Sequence, residues 1–299
     1  MELTPIPGPP TVRTLGMLER RTFLKLLSFV LGGSLSGCAM PRWFGRTNSV
    51  GYAQCAMTEE TPTEDVVAFL NGNTNKLRSW RTTRVQISIR GASAVPIPPV
   101  GASIAVESPR NFRLVASNPM GLPEADFGSN EDQFWFWNKH NDQKNVFVAS
   151  HDQPTRKIPF QPDWIMESMG VVEIDPDEIT ERRPGVPGTH TVVLLADRVS
   201  PEGAKVRKVT VVDVRRGLVT EHALYDARGQ LIARALLGSH VRDKASGIVI
   251  PGSIELDWPP AKLRMTMSLS DIEVNPQRIS AQTWTRPEIP GYAVYDLST

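Results

Sequence analysis

The chain has 299 residues, 33 of them Lys or Arg and 32 Asp or Glu, so a formal charge of +1 excludes a field that gathers nucleic acid or another polyanion. Two cysteines, Cys38 and Cys55, with no second cysteine or histidine at ligand spacing, exclude a disulfide scaffold and a zinc ribbon. Hydrophobic residues at 40% are enough for a core, and 25 prolines with 22 glycines favour many short, turn-broken β elements over long helices.

The apolar run 23–35 is too short, at 13 residues, to span a bilayer as a mature helix, and it reads as the h-region of an export signal. Arg20 and Arg21 stand before it and hold the cytosolic end by the positive-inside bias. Residues 1–16 lengthen the n-region, with Met17 as an alternative start. The small residues Ser36 and Gly37 let an extended backbone enter a peptidase site.

Leu35-Ser36-Gly37-Cys38 resembles the lipobox of bacterial lipoproteins. That resemblance implies a signal peptide over 1–37 and acyl chains on Cys38, the mature N-terminus. Each buried CH₂ contributes about 0.8 kcal/mol, so several chains anchor firmly where one does not. Cys55 is then left without an intramolecular partner. Arg20-Arg21-Thr22-Phe23-Leu24-Lys25 also resembles a twin-arginine signal, with Glu19 in place of the usual serine, so Sec and Tat export both stay open. In lipoproteins of this kind an aspartate after the cysteine favours inner-membrane retention; with Ala39 there, the resemblance implies a place in the envelope, on the periplasmic face of the outer membrane.

Residues 38–60 carry Pro and Gly without a period and read as a lipid-anchored tether, leaving 61–299 as the folded domain. Thr61, Pro62 and Glu64 predict a helix start as N-cap, N1 and N3. Val66, Val67, Phe69, Leu70 and Leu77 give its apolar stripe, and Asn71-Gly72-Asn73 predicts a weak point or break midway.

From Trp80 the period becomes two, with Val85, Ile87 and Ile89 alternating with polar residues. Turn-bounded strand candidates follow at 103–107, 112–117, 133–138, 145–150, 191–197, 205–215, 218–225, 230–241, 252–258 and 263–274. Short turns such as 226–229 require antiparallel neighbours. A second short helix is predicted over 162–170.

Over 62–275 this order of features resembles the lipoprotein-localisation fold of the LolA carriers and LolB receptors. The resemblance rests on Leu70-Asn71 and Leu77-Arg78-Ser79, Pro109 to Leu114, Asp126 to Asn130 before Phe134 to Trp137, Leu224-Tyr225-Asp226 with Gly229, and the closing Leu269 to Asn275. It implies a mainly β (α+β) fold: a curved antiparallel, unclosed β-barrel with one or two helices on its concave face, and an apolar hollow for acyl chains or lipoproteins. Phe69, Leu70, Phe134, Phe136, Trp164 and Met166 are the candidate ligand contacts.

Each candidate has a plainer reading. The aromatics at 134–137 read first as core, and the apolar segment 94–100 reads first as a rigid connector packed on the sheet, with dipping into a bilayer or onto an acyl ligand as its alternative. Asp126, Ser129, Asn130 and Asp132 read as a turn rather than a calcium site. The five histidines form no ligand pair, Gly238-Ser239-His240 lacks a nucleophile elbow, and Asp175, Asp177 and Glu178 read as a helix or turn start. No enzyme, cofactor or metal is therefore expected, and the expected state is a monomer. The alternative function is a non-catalytic lipoprotein with a filled interior that binds protein partners at its surface.

Overall fold

The structure, a computed structural model, describes residues 57–91, 99–140, 142–153, 162–200 and 203–298. The signal residues Arg20, Arg21, Leu35, Ser36 and Gly37, the lipidation candidate Cys38, Cys55 and the loop residues 94–98 lie outside them.

Helix α1 (Thr63–Thr74) starts one residue later than expected, with Pro62 at the N-cap and no side-chain cap bond. Thr61 turns back instead, its Oγ1 accepting the Thr58 N–H at 2.9 Å. Glu64 and Asp65 in the first turn complement the helix dipole. No break occurs at Asn71-Gly72-Asn73, because tertiary hydrogen bonds override the weak local propensity. The Asn71 amide donates to the Ile174 carbonyl (2.8 Å) and accepts the Ile174 N–H (2.9 Å). Asn73 does the same with Val249, at 3.0 and 2.8 Å.

A first meander runs through β1 (Ser79–Arg90), β2 (Val100–Glu107), β3 (Asn111–Ser117), β4 (Pro123–Ser129), β5 (Gln133–Asn138) and β6 (Asn145–Ser150). Helix α2 (Pro162–Ser168) leads to a second meander, β7 (Ile179–Pro184), β8 (Thr191–Val199), β9 (Lys205–Asp213), β10 (Leu218–Asp226) and β11 (Leu231–Gly238). The hairpin β12 (Val241–Arg242) and β13 (Val249–Ile250) stands apart as its own small sheet. Strands β14 (Ser253–Trp258) and β15 (Leu263–Ser270) then join the two meanders, since β15 pairs with β1 and β14 with β11.

Two short strands complete the sheet: β16 (Glu273–Val274) beside β1, and β17 (Ala293–Asp296) on the far edge against β6. The β6–β17 pair is parallel, which corrects the all-antiparallel expectation to a mixed sheet. Residues after β16 cross over first, and such a crossover permits parallel pairing where a tight turn does not. The edges β17 and β7 do not pair, so this curved sheet stays unclosed.

Alternation decides which face is buried. In β15, Leu263, Met265, Met267 and Leu269 are buried while Arg264, Ser268 and Ser270 are exposed. Each fully buried side chain of this kind contributes about 1.5–3 kcal/mol. The main core joins these residues to Trp80, Phe134, Leu256 and the α2 residues Trp164, Ile165 and Met166.

The segment from Asp126 to Ser129 corrects the turn reading, because it lies within β4. Its low β propensity is offset by partners: buried Asp126 accepts from Arg113 (2.7 Å) and from the Trp135 indole (3.0 Å). Gly128 faces Trp135 across the pair, and a Cβ there would come within 2.3 Å of the indole. The ring occupies the space that a side chain would need.

Candidate functional site

Helix α1 lies over the second meander. Val66, Val67 and Leu70 are buried against Val192, Leu194, Val212 and Val214 of the strands and the turn that follows β9. Phe69, on the same helix, is 49% exposed and sits over Gly217. Gly217 has φ +64°, and a Cβ there would stand 2.2 Å from Phe69 Cε1, so glycine serves both the left-handed turn and the close approach.

A cleft of about 400 Å³ remains between α1, the β10 start, β11 and the β12–β13 hairpin. Its apolar walls include Phe69, Leu70, Ile174, Val219, Leu237 and Ile248. The two asparagine clamps hold the α1 end of this roof, Asn71 to the chain after α2 and Asn73 to β13. A second hollow of about 700 Å³ is lined by Arg78, Glu107, Arg110, Met166 and Glu173 among others. Thr74, Leu77, Glu167 and Val172 line both, so the two hollows adjoin.

Glu167 and His222 line the base of the first cleft, and the ionic partners of Glu167 stand behind it. Period-two alternation in β9 turns Lys208, Thr210 and Val212 inward, and Lys208 meets Glu167 of α2 with Nζ–Oε2 at 2.6 Å. Arg198 bridges Glu167 and Glu178 from the other side. Burial alone would raise the Glu167 carboxyl pKa, but Lys208 and Arg198 outweigh it and hold the group below the usual carboxylate range. Burial draws Lys208 down from its ordinary value, Glu167 opposing and Arg198 adding to the effect.

His222 completes the base, its Nδ1 sharing a hydrogen bond with Thr210 Oγ1 at 3.2 Å. Burial first, then Lys208, pulls its pKa to about 3, so the ring is neutral across the ordinary pH range. His240 lines the same cleft and its Nε2 donates to the Val219 carbonyl at 3.2 Å, with burial again lowering its pKa. These groups are paired, fixed and polar at the base of an apolar space. That arrangement can orient an amphiphile.

The six candidate ligand contacts divide. Phe69 and Leu70 come together at the cleft beneath α1, and Met166 lines the second hollow. Phe134 and Trp164 are 1% and 3% exposed within the main core, and Phe136 packs against that core, stacked on Phe147 at 4.7 Å. Aromatics do occupy both faces of β5: Trp135 and Trp137 lie on the other side with Ile289 and Tyr292 of the C-terminal tail. The ionic cluster behind the cleft escaped the sequence reading. Only the inward register of Lys208 signals it, since a buried lysine requires a carboxylate that the register does not name.

Among the described residues no group of three or more His, Cys, Asp or Glu side chains stands where it could hold a metal ion. No described helix is long and apolar enough to cross a membrane. The 3₁₀ turn Pro176–Glu178, with Asp175 accepting the Asp177 N–H at 2.9 Å, agrees with the turn-start reading of those acids.

No protein-family model and no curated protein matches the sequence. Solved structures resemble the fold. The chain is similar to a DUF1329 family protein from Desulfovibrio piger at 12% identity, with 74% of this chain and 95% of that chain covered and a TM-score of 0.50. It is also similar to a putative outer membrane lipoprotein-sorting protein domain from Vibrio parahaemolyticus (10% identity, 74% and 96% covered, TM-score 0.49). A LolA superfamily protein from Nitrosomonas europaea matches at 9% identity, with 77% and 99% covered and a TM-score of 0.47. The unclosed sheet with short helices laid on it is the architecture that the resemblance implied.

Proposed function

We propose that this chain is a lipid-anchored, non-catalytic protein of the outer envelope that takes up an acyl chain in the cleft beneath α1, in lipid or lipoprotein handling. The observation that carries the reading is the cleft: about 400 Å³, within the ~300–1,000 Å³ range of small-ligand sites, and walled by Phe69, Leu70, Ile174 and Val219. Each acyl methylene moved from water into it would contribute about 0.8 kcal/mol. The lipobox resemblance at Leu35 to Cys38 supports the anchor, which would keep the cleft beside a membrane.

A filled-interior protein that binds partners at its surface is the second reading, favoured by the burial of Phe134 and Trp164 in the core. Uptake of a fluorescent fatty acid by the chain carrying Cys38→Ser separates the two. Acyl binding predicts saturable uptake that Val219→Trp reduces at least tenfold, because the half-buried Val219 side chain is part of the cleft wall and an indole there would fill the space. Absence of uptake would leave the surface-partner reading.

A further inference from the structure

The charges around the cleft are unevenly distributed. Lys76, Arg216 and Arg242 line it and are exposed. Glu167 is the one acidic residue in its lining, and it is already engaged by Lys208 and Arg198. Arg216 has a loose contact with Asp213 at 3.8 Å, and Arg242 donates from Nη1 to the Gly247 carbonyl at 2.8 Å. Lys76 follows α1 directly, beyond the Asn73 clamp. An apolar space with a cationic rim and a neutralised base favours a ligand with charge at one end only.

We infer that the occupant of this cleft is a single-chain amphiphile with an anionic head, its chain beneath α1 and its head among Lys76, Arg216 and Arg242. The inference rests on the acyl-binding reading above and specifies its ligand. A neutral head would forgo the rim, and a cationic head would be repelled by it.

Topology sets Arg216 beside the N-terminal segment. In the second meander the β7–β8 and β9–β10 turns fall at the same end of the sheet, because all four strands alternate in direction. The β9–β10 turn carries Arg216. The segment that leads from the tether docks at this end as well, with His190 of the β7–β8 turn 3.5 Å from Glu59 and Arg182 donating to the Thr61 carbonyl. Arg216 of the rim therefore stands at the end of the sheet where the chain arrives from its N-terminal side.

The test uses the full chain carrying Cys38→Ser and three probes with one tail: dodecanoate, dodecanol and dodecyltrimethylammonium, at about pH 8. Displacement of a fluorescent fatty acid should rank the anion above the alcohol by on the order of tenfold and the cation last. On the order of 0.5 M salt should collapse that ranking toward the alcohol's affinity, since a rim charge is screened at that ionic strength. Lys76→Gln with Arg216→Gln should lower dodecanoate affinity several-fold and leave dodecanol unchanged.

Equal binding of the three probes, insensitive to salt, would overturn the anionic-head inference while the acyl-binding reading stands. Failure of all three to displace the dye would overturn both. The salt series is read on the unaltered rim, so misfolding of a charge variant leaves the result decisive.

Discussion

Two wings of one sheet, flanking the β1–β15 pair, are filled in opposite ways. In the β3–β6 wing the inward side chains are rings that tile: Phe112 and Phe127 meet edge-on at 5.3 Å, Phe127 and Phe134 at 4.9 Å, and Phe136 stacks on Phe147 at 4.7 Å. In the β8–β11 wing the buried inward positions include Lys208, Thr210, His222, Ala233 and Ala235, which are polar or small, and α1 packs on the neighbouring Val192, Leu194 and Val212. Backbone curvature alone does not set where a hollow forms. The volume and charge of the side chains on each strand do.

The comparison breaks hardest at the two buried anchors. Phe134→Ala should cost ~3–5 kcal/mol as lost transfer energy plus cavity, with no second substitution that restores it. Lys208→Met should cost a similar ~3–5 kcal/mol for a different reason, since it leaves Glu167 buried with Arg198 as its remaining cation. Adding Glu167→Met should return most of that loss, because a buried pair is replaced by packed apolar groups. Guanidinium denaturation midpoints of the four proteins decide it: if the double variant is no more stable than Lys208→Met, the cluster is not held together by that pair.

Acid should weaken the wing with the ionic cluster first. His222 binds its proton only near pH 3 when folded, but near its ordinary value when unfolded, so the unfolded state holds more protons between the two. Stability is full above the unfolded pKa and falls as pH drops below it, by up to ~1.4 kcal/mol per pH unit. His240, lowered by burial, acts in the same direction. Glu167 adds at lower pH, since its stabilising contribution is lost as pH falls through its depressed folded pKa. His222→Gln should flatten this slope between about pH 6 and 4; an unchanged slope would mean that the imidazole is not held neutral by the fold.

Much of the filled wing is legible in the sequence, where the alternating candidates 133–138 and 145–150 coincide with β5 and β6. Their side chains carry the signal locally, since aromatic and β-branched residues favour a pleated surface. Strand β4 is not legible, because Glu124, Asp126 and Gly128 suit a sheet only when Asn118, Arg113 and Trp135 are brought to them. The cleft is hidden for the same reason. Asn71 and Asn73 read as helix breakers until Ile174 and Val249, 103 and 176 residues away in sequence, accept and donate to them. Fold class follows from local pattern here, and the site follows from contacts that no local pattern contains.

Those clamps sharpen the comparison at intermediate cost. Asn71→Ala or Asn73→Ala removes two hydrogen bonds and leaves partners half-buried, for ~1–3 kcal/mol each. The loss should be local, read as faster amide exchange in α1 and in the chain around Ile174 or Val249. Protection of β5 and β6 should stay at the wild-type level. Equal loss of protection in both wings would show that the roof and the aromatic wing open as one cooperative unit, contrary to the division drawn here.

The smallest effects come from two glycines at the cleft, and their signs should differ. At Gly217 the backbone is left-handed and an added methyl meets Phe69, so Gly217→Ala should destabilise by about 1 kcal/mol or more and push the phenyl ring off its seat. At Gly72 the backbone is helical and the added methyl meets nothing within 4 Å, so Gly72→Ala should stabilise by ~0.5–1 kcal/mol through helix propensity. Thermal unfolding reads both. Two residues lining one cleft then separate backbone constraint from cleft volume: a stabilised Gly72→Ala protein that binds acyl chains normally shows room to spare beside the helix. Weakened binding in that stabilised protein would show that the ligand lies directly against α1 at this turn.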